Sequence, residues 1–182
     1  MLEFIAARRS ASFLQTPAWA RVKSEWRGER IGFYDGDELT GVGLILYRKL
    51  PKLPRYLAYL PEGPVLDWSR DDIDEHFDAL VAHVKKRQAF AVRVGPAVVH
   101  RMWGTKTIKT AIADDNVTSL TEVAPDAITP EGERVVSVLK RGGWITDNTG
   151  QGFAAGQPQF NFQLSLRHDC LLYTSDAADE ED

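Results

Sequence analysis

Lys23 lies between two tryptophans in the stretch TPAWARVKSEW, four residues after Trp19 and three before Trp26. On a helix, side chains at these spacings share one face or its edge. A lysine between two indoles can hold an anionic group while the rings pack against a flat ligand. The spacing also fits a surface lysine whose stem lies along a tryptophan and whose amine is in water.

A carboxylate follows the turn in YLPEGPVLDW, where Asp67 comes directly before Trp68. A carboxylate just past a rigid turn can bind the hydroxyl or amine of a ligand. The alternative is an acid near the start of the following helix, where the helix dipole favours negative charge. The local sequence leaves both interpretations open.

Other catalytic patterns are missing. The sequence has no GxSxG, HExxH or Walker motif. Its four histidines lack metal-ligand spacing, and we expect them to be packed or solvated; they are His76, His83, His100 and His168. The glycine-rich residues 149–156 precede a strand pattern, which favours a flexible loop over a phosphate-binding one. We therefore expect no metal and no bound cofactor, and we assign no catalytic residue.

Composition indicates a globular protein of about one domain. The chain has 182 residues, of which 43% are hydrophobic and 26% charged, and one cysteine. The formal charge is −4, but five acids lie in residues 170–182, and without them 22 basic residues face 21 acidic ones. This balance predicts no strong field for nucleic acid and no DNA partner. The N-terminus lacks the pattern of a signal peptide, so a cytoplasmic location is expected.

The elements that must position these side chains alternate between helix and strand. We predict a helix from Thr16-Pro17, a hairpin around Asp35-Gly36-Asp37, and a strand ending before PEGP. An apolar stripe predicts a helix from Asp71 through its members Ile73, Phe77, Leu80, Val81 and Val84. Further predictions are a short buried strand (89–94), a short helix (107–113), a helix ending at Gly142 or Gly143, and strands at 144–146 and 160–166. This order predicts an α/β (α+β) fold with a mixed sheet flanked by helices.

Four of these stretches, in order over roughly residues 13–166, resemble the FemABX family of peptidoglycan interpeptide-bridge aminoacyltransferases. They are FLQTPAWARVKSEW, YLPEGPVLDW, AFAVRVGP and QPQFNFQLSL. The resemblance implies a GNAT-like (acyl-CoA N-acyltransferase-like) domain, here incomplete. It also implies transfer of an amino acid from aminoacyl-tRNA to the stem peptide of a peptidoglycan precursor, which is lipid-linked or UDP-linked. A peripheral contact with the inner face of the plasma membrane would follow from a lipid-linked acceptor.

The resemblance also implies substrate-binding residues. The lysine of the family's first helix falls on Lys23, its neighbouring tryptophan on Trp26, and the acid of the G-P-V-x-D turn on Asp67. An aromatic residue of the later strand, often tyrosine, falls on Phe90, which lacks the hydroxyl. Many members carry an aspartate before the proline at position 96, where this chain has Gly95. Glycine can neither take a proton nor orient an amine.

The resemblance divides the chain into an N-terminal extension (1–12), a first domain (13–169) that we expect to be truncated, and a tail (170–182). The string CLLYTSDAADE back-translates to a sequence resembling the transposase adapter used in library preparation, so we expect a non-native tail. The alternative is a natural acidic tail. Aminoacyl-tRNA would bind through the missing part, so we expect the fragment itself to be inactive.

Two other functions compete with bridge formation. An N-acyltransferase using acetyl-CoA should carry a glycine-rich loop between a strand and a helix, and none is placed there. A non-catalytic binding module is the second alternative. The sequence leaves open which amino acid is transferred and the oligomeric state.

Overall fold

The computed structural model describes residues 1–8, 11–146 and 160–163. The chain forms two compact units, Met1–Thr149 and Gly150–Asp182. Residues 160–163 of the second unit are irregular and exposed. The helices of the first unit are α1 (Leu2–Ala6), α2 (Pro17–Val22), α3 (Ile73–Lys86), α4 (Thr105–Ile112) and α5 (Pro130–Arg141), with 3-10 turns at Phe13–Gln15 and Leu120–Glu122.

A mixed sheet organises the first unit. Its strands are β1 (Arg27–Asp35), β2 (Glu38–Lys49), β3 (Tyr56–Leu60), β4 (Val65–Leu66) and β5 (Ala89–Val94). The order is β1-β2-β3-β5, with β4 on β2; β5 runs parallel to β3 and the other pairs are antiparallel. Two short strands, β6 (Arg101–Met102) and β7 (Ala127–Ile128), form a separate pair. The predicted mixed α/β fold with flanking helices is confirmed.

The predicted hairpin is also confirmed. Asp35 pairs with Glu38, so β1 and β2 are joined by Gly36 and Asp37 alone. Gly36 has a φ of 57°, a left-handed conformation that glycine adopts without steric cost. Two-residue loops of this kind match the twist of the strands they connect.

The core lies between the sheet and helices α3 and α5. Ile73, Phe77, Leu80 and Val84 of the predicted stripe are each at most 2% exposed, which confirms the stripe. Thr129 caps the N-terminus of helix α5, because its hydroxyl accepts a hydrogen bond from the Gly132 amide. The helix ends at the predicted glycines. Short helices α2 and α4 are confirmed near their predicted positions.

Four predictions were wrong: the extent of one helix, the burial of one strand, and the presence of two further strands. Helix α2 stops at Val22, because Lys23 leaves helical geometry to turn the chain into β1. Strand β5 is half-exposed rather than buried, because it lies at the end of the described sheet. Residues 144–146 and 160–163 are not strands, since no described strand pairs with them; residues 164–166 and the glycine-rich residues 149–156 lie outside the described residues.

Glu29 links β1 to the end of α3. Its carboxylate accepts hydrogen bonds from Arg87 (2.6 Å) and Tyr47 (2.8 Å), and His83 lies 3.2 Å away. Burial alone would raise the pKa of Glu29, but these hydrogen bonds outweigh it and hold the pKa at about 2. Because this lies below the usual value of 4.5, Glu29 stabilises the fold above pH 4.5 and stops doing so as the pH falls through 2.

We therefore expect Glu29→Gln to lower the free energy of unfolding at neutral pH by roughly 1.5–3 kcal/mol, the contribution of charged hydrogen bonds. The difference from the parent chain should shrink as the pH falls from 4.5 towards 2. Denaturant unfolding at several pH values measures it. Glu25→Gln, at an exposed carboxylate, is the control and should have little effect. A constant difference across this pH range would contradict the assignment.

Candidate functional site

The carboxyl ends of β3 and β5 form an open edge of the sheet. Because these strands are parallel, both end there, and their last pair is Leu60 with Val94. The segments that follow the two strands remain hydrogen-bonded to each other, because the Gly95 amide donates to the Gly63 carbonyl at 3.2 Å. We call residues 61–64 together with Gly95 the strand-end site. Ligands of sheets with parallel strands commonly bind at this end.

Gln15 holds the strand-end site in place. It is fully buried, its amide nitrogen donates to the Pro61 carbonyl at 2.6 Å, and its amide oxygen accepts from the Leu44 amide at 2.8 Å. The side chain therefore joins the loop after β3 to the middle of β2. A Cβ on Gly63 would lie only 2.3 Å from Gln15 Cδ, so glycine is required at this position.

Glu62 projects from the same turn. It has a φ of 48°, which is uncommon for a residue other than glycine and is often found where function requires it. Its side chain is half-buried, and within the described part of the chain its carboxylate has no hydrogen bond or ion pair. Glu62 lies in the PEGP stretch, for which the sequence predicts only a turn. A carboxylate between proline and glycine in a rigid turn was the available signal for a site residue.

Gly95 leaves room beside Glu62. A Cβ built on Gly95 would meet the Glu62 amide nitrogen at 3.5 Å and its Cα at 3.9 Å, which are ordinary contacts. The strand-end site therefore has space for a side chain at position 95, and Glu62 supplies a carboxylate in the neighbouring turn.

Lys23 and Trp26 do not share a helical face, so that prediction was wrong. Lys23 caps the C-terminus of α2, and its amine lies 5.5 Å from the centre of the Trp19 ring. Trp26 follows a turn in which its amide donates to the Lys23 carbonyl at 2.9 Å. The Trp26 ring packs at 6.3 Å from Tyr59 and lies under the Arg48 guanidinium. Lys23 is therefore paired with the Trp19 indole, whereas the Trp26 indole contacts Tyr59 of β3.

Asp67 lies in the turn between β4 and α3. One of its oxygens accepts hydrogen bonds from the Ser69 hydroxyl at 2.6 Å and the Ser69 amide at 3.2 Å. The hydroxyl contributes most to lowering the pKa of Asp67. The carboxylate is therefore ionised at neutral pH and is half-exposed. Its local contacts match the interpretation as an acid before a helix, and they leave its other oxygen available to a ligand.

Phe90 lies at the opposite end of β5 from the strand-end site. Its side chain is 54% exposed. It lines a shallow surface hollow with Arg48, Lys49, Leu50, Pro51 and Leu57. The side chains of the four predicted binding residues therefore contact different neighbours.

The described histidines all contact protein groups. His76 is buried, with its ring 2.9 Å from the Thr40 hydroxyl, and His100 lies 2.8 Å from Glu133. Among residues 1–8, 11–146 and 160–163, no cluster of His, Cys, Asp and Glu has the geometry to hold a metal ion. In the same residues, no helix is both long and apolar enough to cross a bilayer.

The mixed sheet with flanking helices and an open strand-end site defines an α/β domain. Residues 2–170 match the FemAB family, and the chain belongs to that family. Two similar curated proteins are named Lipid II:glycine glycyltransferase. The one from Staphylococcus saprophyticus is 33% identical over 98 residues, which cover 52% of this chain and 24% of the relative. The one from Staphylococcus haemolyticus is 31% identical over 98 residues, covering 52% and 23%.

A solved structure described as the crystal structure of FemX also aligns with the chain. It has a TM-score of 0.46 and 30% sequence identity, and the alignment covers 61% of this chain and 28% of that one. The chain thus spans about a quarter of the length of the curated relatives it matches.

Proposed function

We propose that this chain is the first part of an aminoacyltransferase that moves an amino acid from aminoacyl-tRNA to the stem-peptide amine of a peptidoglycan precursor. The observation that carries the proposal is the family match over residues 2–170, together with relatives that are named for glycyl transfer to lipid II. The GNAT-like assignment of the sheet and a location at the inner face of the plasma membrane belong to the same proposal.

The reaction is the aminolysis of an ester. The acceptor amine attacks the ester carbonyl of the aminoacyl-tRNA, an amide bond forms, and the ester bond to the ribose oxygen breaks. The amine loses a proton and the ribose hydroxyl gains one. An aminoacyl ester is already activated, so holding a neutral amine close to it supplies much of the rate.

Glu62 is the group we assign to this task. Its carboxylate has no hydrogen bond or ion pair among the described residues, and its backbone adjoins the position where Gly95 replaces the expected acid. There it accepts a hydrogen bond from the acceptor amine, orients it, and takes up its proton as the amide bond forms. The Glu62 side chain is only half-buried, so its carboxylate is accessible to a large substrate.

The geometry favours this reaction over acetyl transfer from acetyl-CoA. A pyrophosphate is usually bound by the amides at the start of a helix that directly follows a strand. Among the described residues, β3 is followed by the turn at residues 61–64, and β5 by an irregular segment that leads to β6. Neither parallel strand leads directly into a helix.

Lys23→Ala is expected to weaken binding of the precursor. A lysine next to one indole can form a charged hydrogen bond to an anionic group, and its loss costs roughly 1.5–3 kcal/mol, or about 10- to 150-fold in affinity. Calorimetry with a UDP-linked muropeptide measures the change. Arg21→Ala, at an exposed residue of helix α2, which Lys23 caps, is the control. Unchanged affinity would leave Lys23 as a surface residue packed on Trp19.

The overall proposal is tested by a transfer assay. The chain, alone or extended by its native continuation to the length of the relatives, is incubated with charged tRNA and a lipid-linked or UDP-linked muropeptide. Mass spectrometry should find one added amino acid with the extended protein and none with the 182-residue chain. No transfer by the extended protein would overturn the proposed function. Repeated turnover by the chain alone would show that the whole active site lies within it.

A further inference from the structure

One end of the first unit carries a concentrated positive charge. The loop between β2 and β3 (residues 48–55) and the segment joining α3 to β5 (residues 85–90) meet there, since the Tyr56 amide donates to the Gln88 carbonyl at 3.2 Å. We call these two segments the basic end. They contain no acidic residue and seven basic ones, namely Arg48, Lys49, Lys52, Arg55, Lys85, Lys86 and Arg87.

Most of this charge is not used within the fold. Arg87 pairs with Glu29, and Arg48 lies over the Trp26 ring. The other five have no ion pair among the described residues, and all five are exposed. Five like charges held together by a short loop and a helix end repel one another in water. Such an arrangement is stabilised when an anionic surface binds to it.

Apolar side chains are exposed at the same end. Leu53, at the tip of the loop between two prolines, is 55% exposed, and Phe90 is 54% exposed. Phe90 shares a surface hollow with Pro51, Arg48 and Lys49, and Leu53 lies in sequence between Lys52 and Arg55 on the same loop. Protein surfaces that lie in the interfacial region of a bilayer combine these two features, because apolar groups enter the acyl boundary while cations contact the headgroups.

We propose that the basic end docks the protein on an anionic lipid bilayer, with Leu53 inserted at the interface. Charge complementarity supports this occupant, and the exposed leucine favours a bilayer over a nucleic acid, which would bind the cations but has no apolar interior for Leu53. A second copy of the chain would bring two equally cationic surfaces together. The basic end is the surface through which an enzyme with a lipid-linked acceptor would approach that acceptor. In that respect the inference rests on the proposed function.

The position of the basic end suits this role. It lies at the start of β3, whereas the strand-end site lies at the end of that strand, five residues further along. A five-residue strand spans roughly 17 Å at about 3.3 Å per residue. Docking through the basic end therefore leaves the strand-end site open to water and within reach of a headgroup that projects from the bilayer.

Vesicle co-sedimentation of the 182-residue chain tests the proposal. The chain should bind vesicles of phosphatidylglycerol and phosphatidylcholine, bind phosphatidylcholine alone much more weakly, and dissociate as salt is raised. Each basic residue near an anionic surface is worth about fivefold in affinity, so Lys52→Gln with Arg55→Gln should weaken binding roughly 30-fold. Leu53→Ser should weaken it about 10-fold, through loss of apolar burial.

The controls lie on α4, where Lys106→Gln with Lys109→Gln removes the same charge and Ile112→Ser removes an apolar side chain that is 79% exposed. These variants should bind vesicles nearly as the parent does. The proposal would be overturned if the α4 variants lost as much vesicle affinity as the basic-end variants. It would also be overturned if the chain bound anionic and neutral vesicles equally. Preferential binding of tRNA by the same residues, or self-association abolished by Leu53→Ser, would overturn it as well. Transfer to a soluble UDP-linked acceptor is measured separately, so a failure of docking is distinguishable from a failure of the proposed function.

Discussion

Replacing Glu62 with glutamine in the extended protein is expected to lower kcat by about 10²–10⁴, the usual contribution of a positioned proton acceptor. The change is nearly isosteric, so the turn with its positive φ is kept while the ability to accept a proton is lost. The affinity for the muropeptide should change little, because the effect is on the reacting amine. Single-turnover kinetics with charged tRNA measures the rate of amide formation directly.

A second substitution separates this role from a merely structural one. Position 95 has room for a side chain next to Glu62, so Gly95→Asp should restore part of the activity of the Glu62→Gln variant. Gly95→Asn adds a side chain of the same size without a carboxylate and should restore none. Glu25→Gln, an exposed carboxylate elsewhere, serves as the control for charge. Activity unchanged by Glu62→Gln would contradict the assignment and leave positioning alone to explain the rate.

Gly63→Ala is expected to destabilise the fold by roughly 2–4 kcal/mol, through overpacking and the loss of buried hydrogen bonds. The new methyl group would lie 2.3 Å from Gln15 Cδ. Gln15 cannot move away freely, because it is fully buried and holds both Pro61 and Leu44. The added methyl must therefore shift the turn that carries Glu62 or break those bonds. Denaturant unfolding followed by tryptophan fluorescence measures the loss.

Gly95→Ala is the matched control, since a Cβ there makes only ordinary contacts on the same edge of the sheet. It should change stability by less than about 0.5 kcal/mol. The double variant Gly63→Ala with Gln15→Ala should cost less than the sum of the single changes, because removing the glutamine side chain removes the clash. Strict additivity would show that the two residues do not contact each other in solution.

Several elements of the fold follow from neighbouring residues alone. Gly36 next to Asp37 predicts a tight hairpin, because few other residues adopt the required left-handed conformation. The spacing of Ile73, Phe77, Leu80 and Val84 predicts the buried face of α3, because a helical stripe is a property of a few consecutive turns. Gly142 and Gly143 predict the end of α5 for the same local reason. The family motifs likewise consist of short stretches that can be read directly from the chain.

Contacts between distant residues required the tertiary structure. The end of α2 at Val22 depends on where β1 must begin, so the predicted helical face of Lys23 and Trp26 does not form. The exposure of Phe90 depends on which strand lies at the edge of the sheet.

The strand-end site shows the same limit most clearly. Gln15 reaches Pro61 across 46 positions of sequence, and Glu62 approaches Gly95 only because β3 and β5 pair in parallel. No local pattern records which residues such pairing brings together, since the energy of each contact depends on the whole sheet being assembled. The family motifs were therefore readable from the sequence, whereas the approach of Glu62 to Gly95 and the role of Gln15 in holding that turn were decided by the tertiary structure.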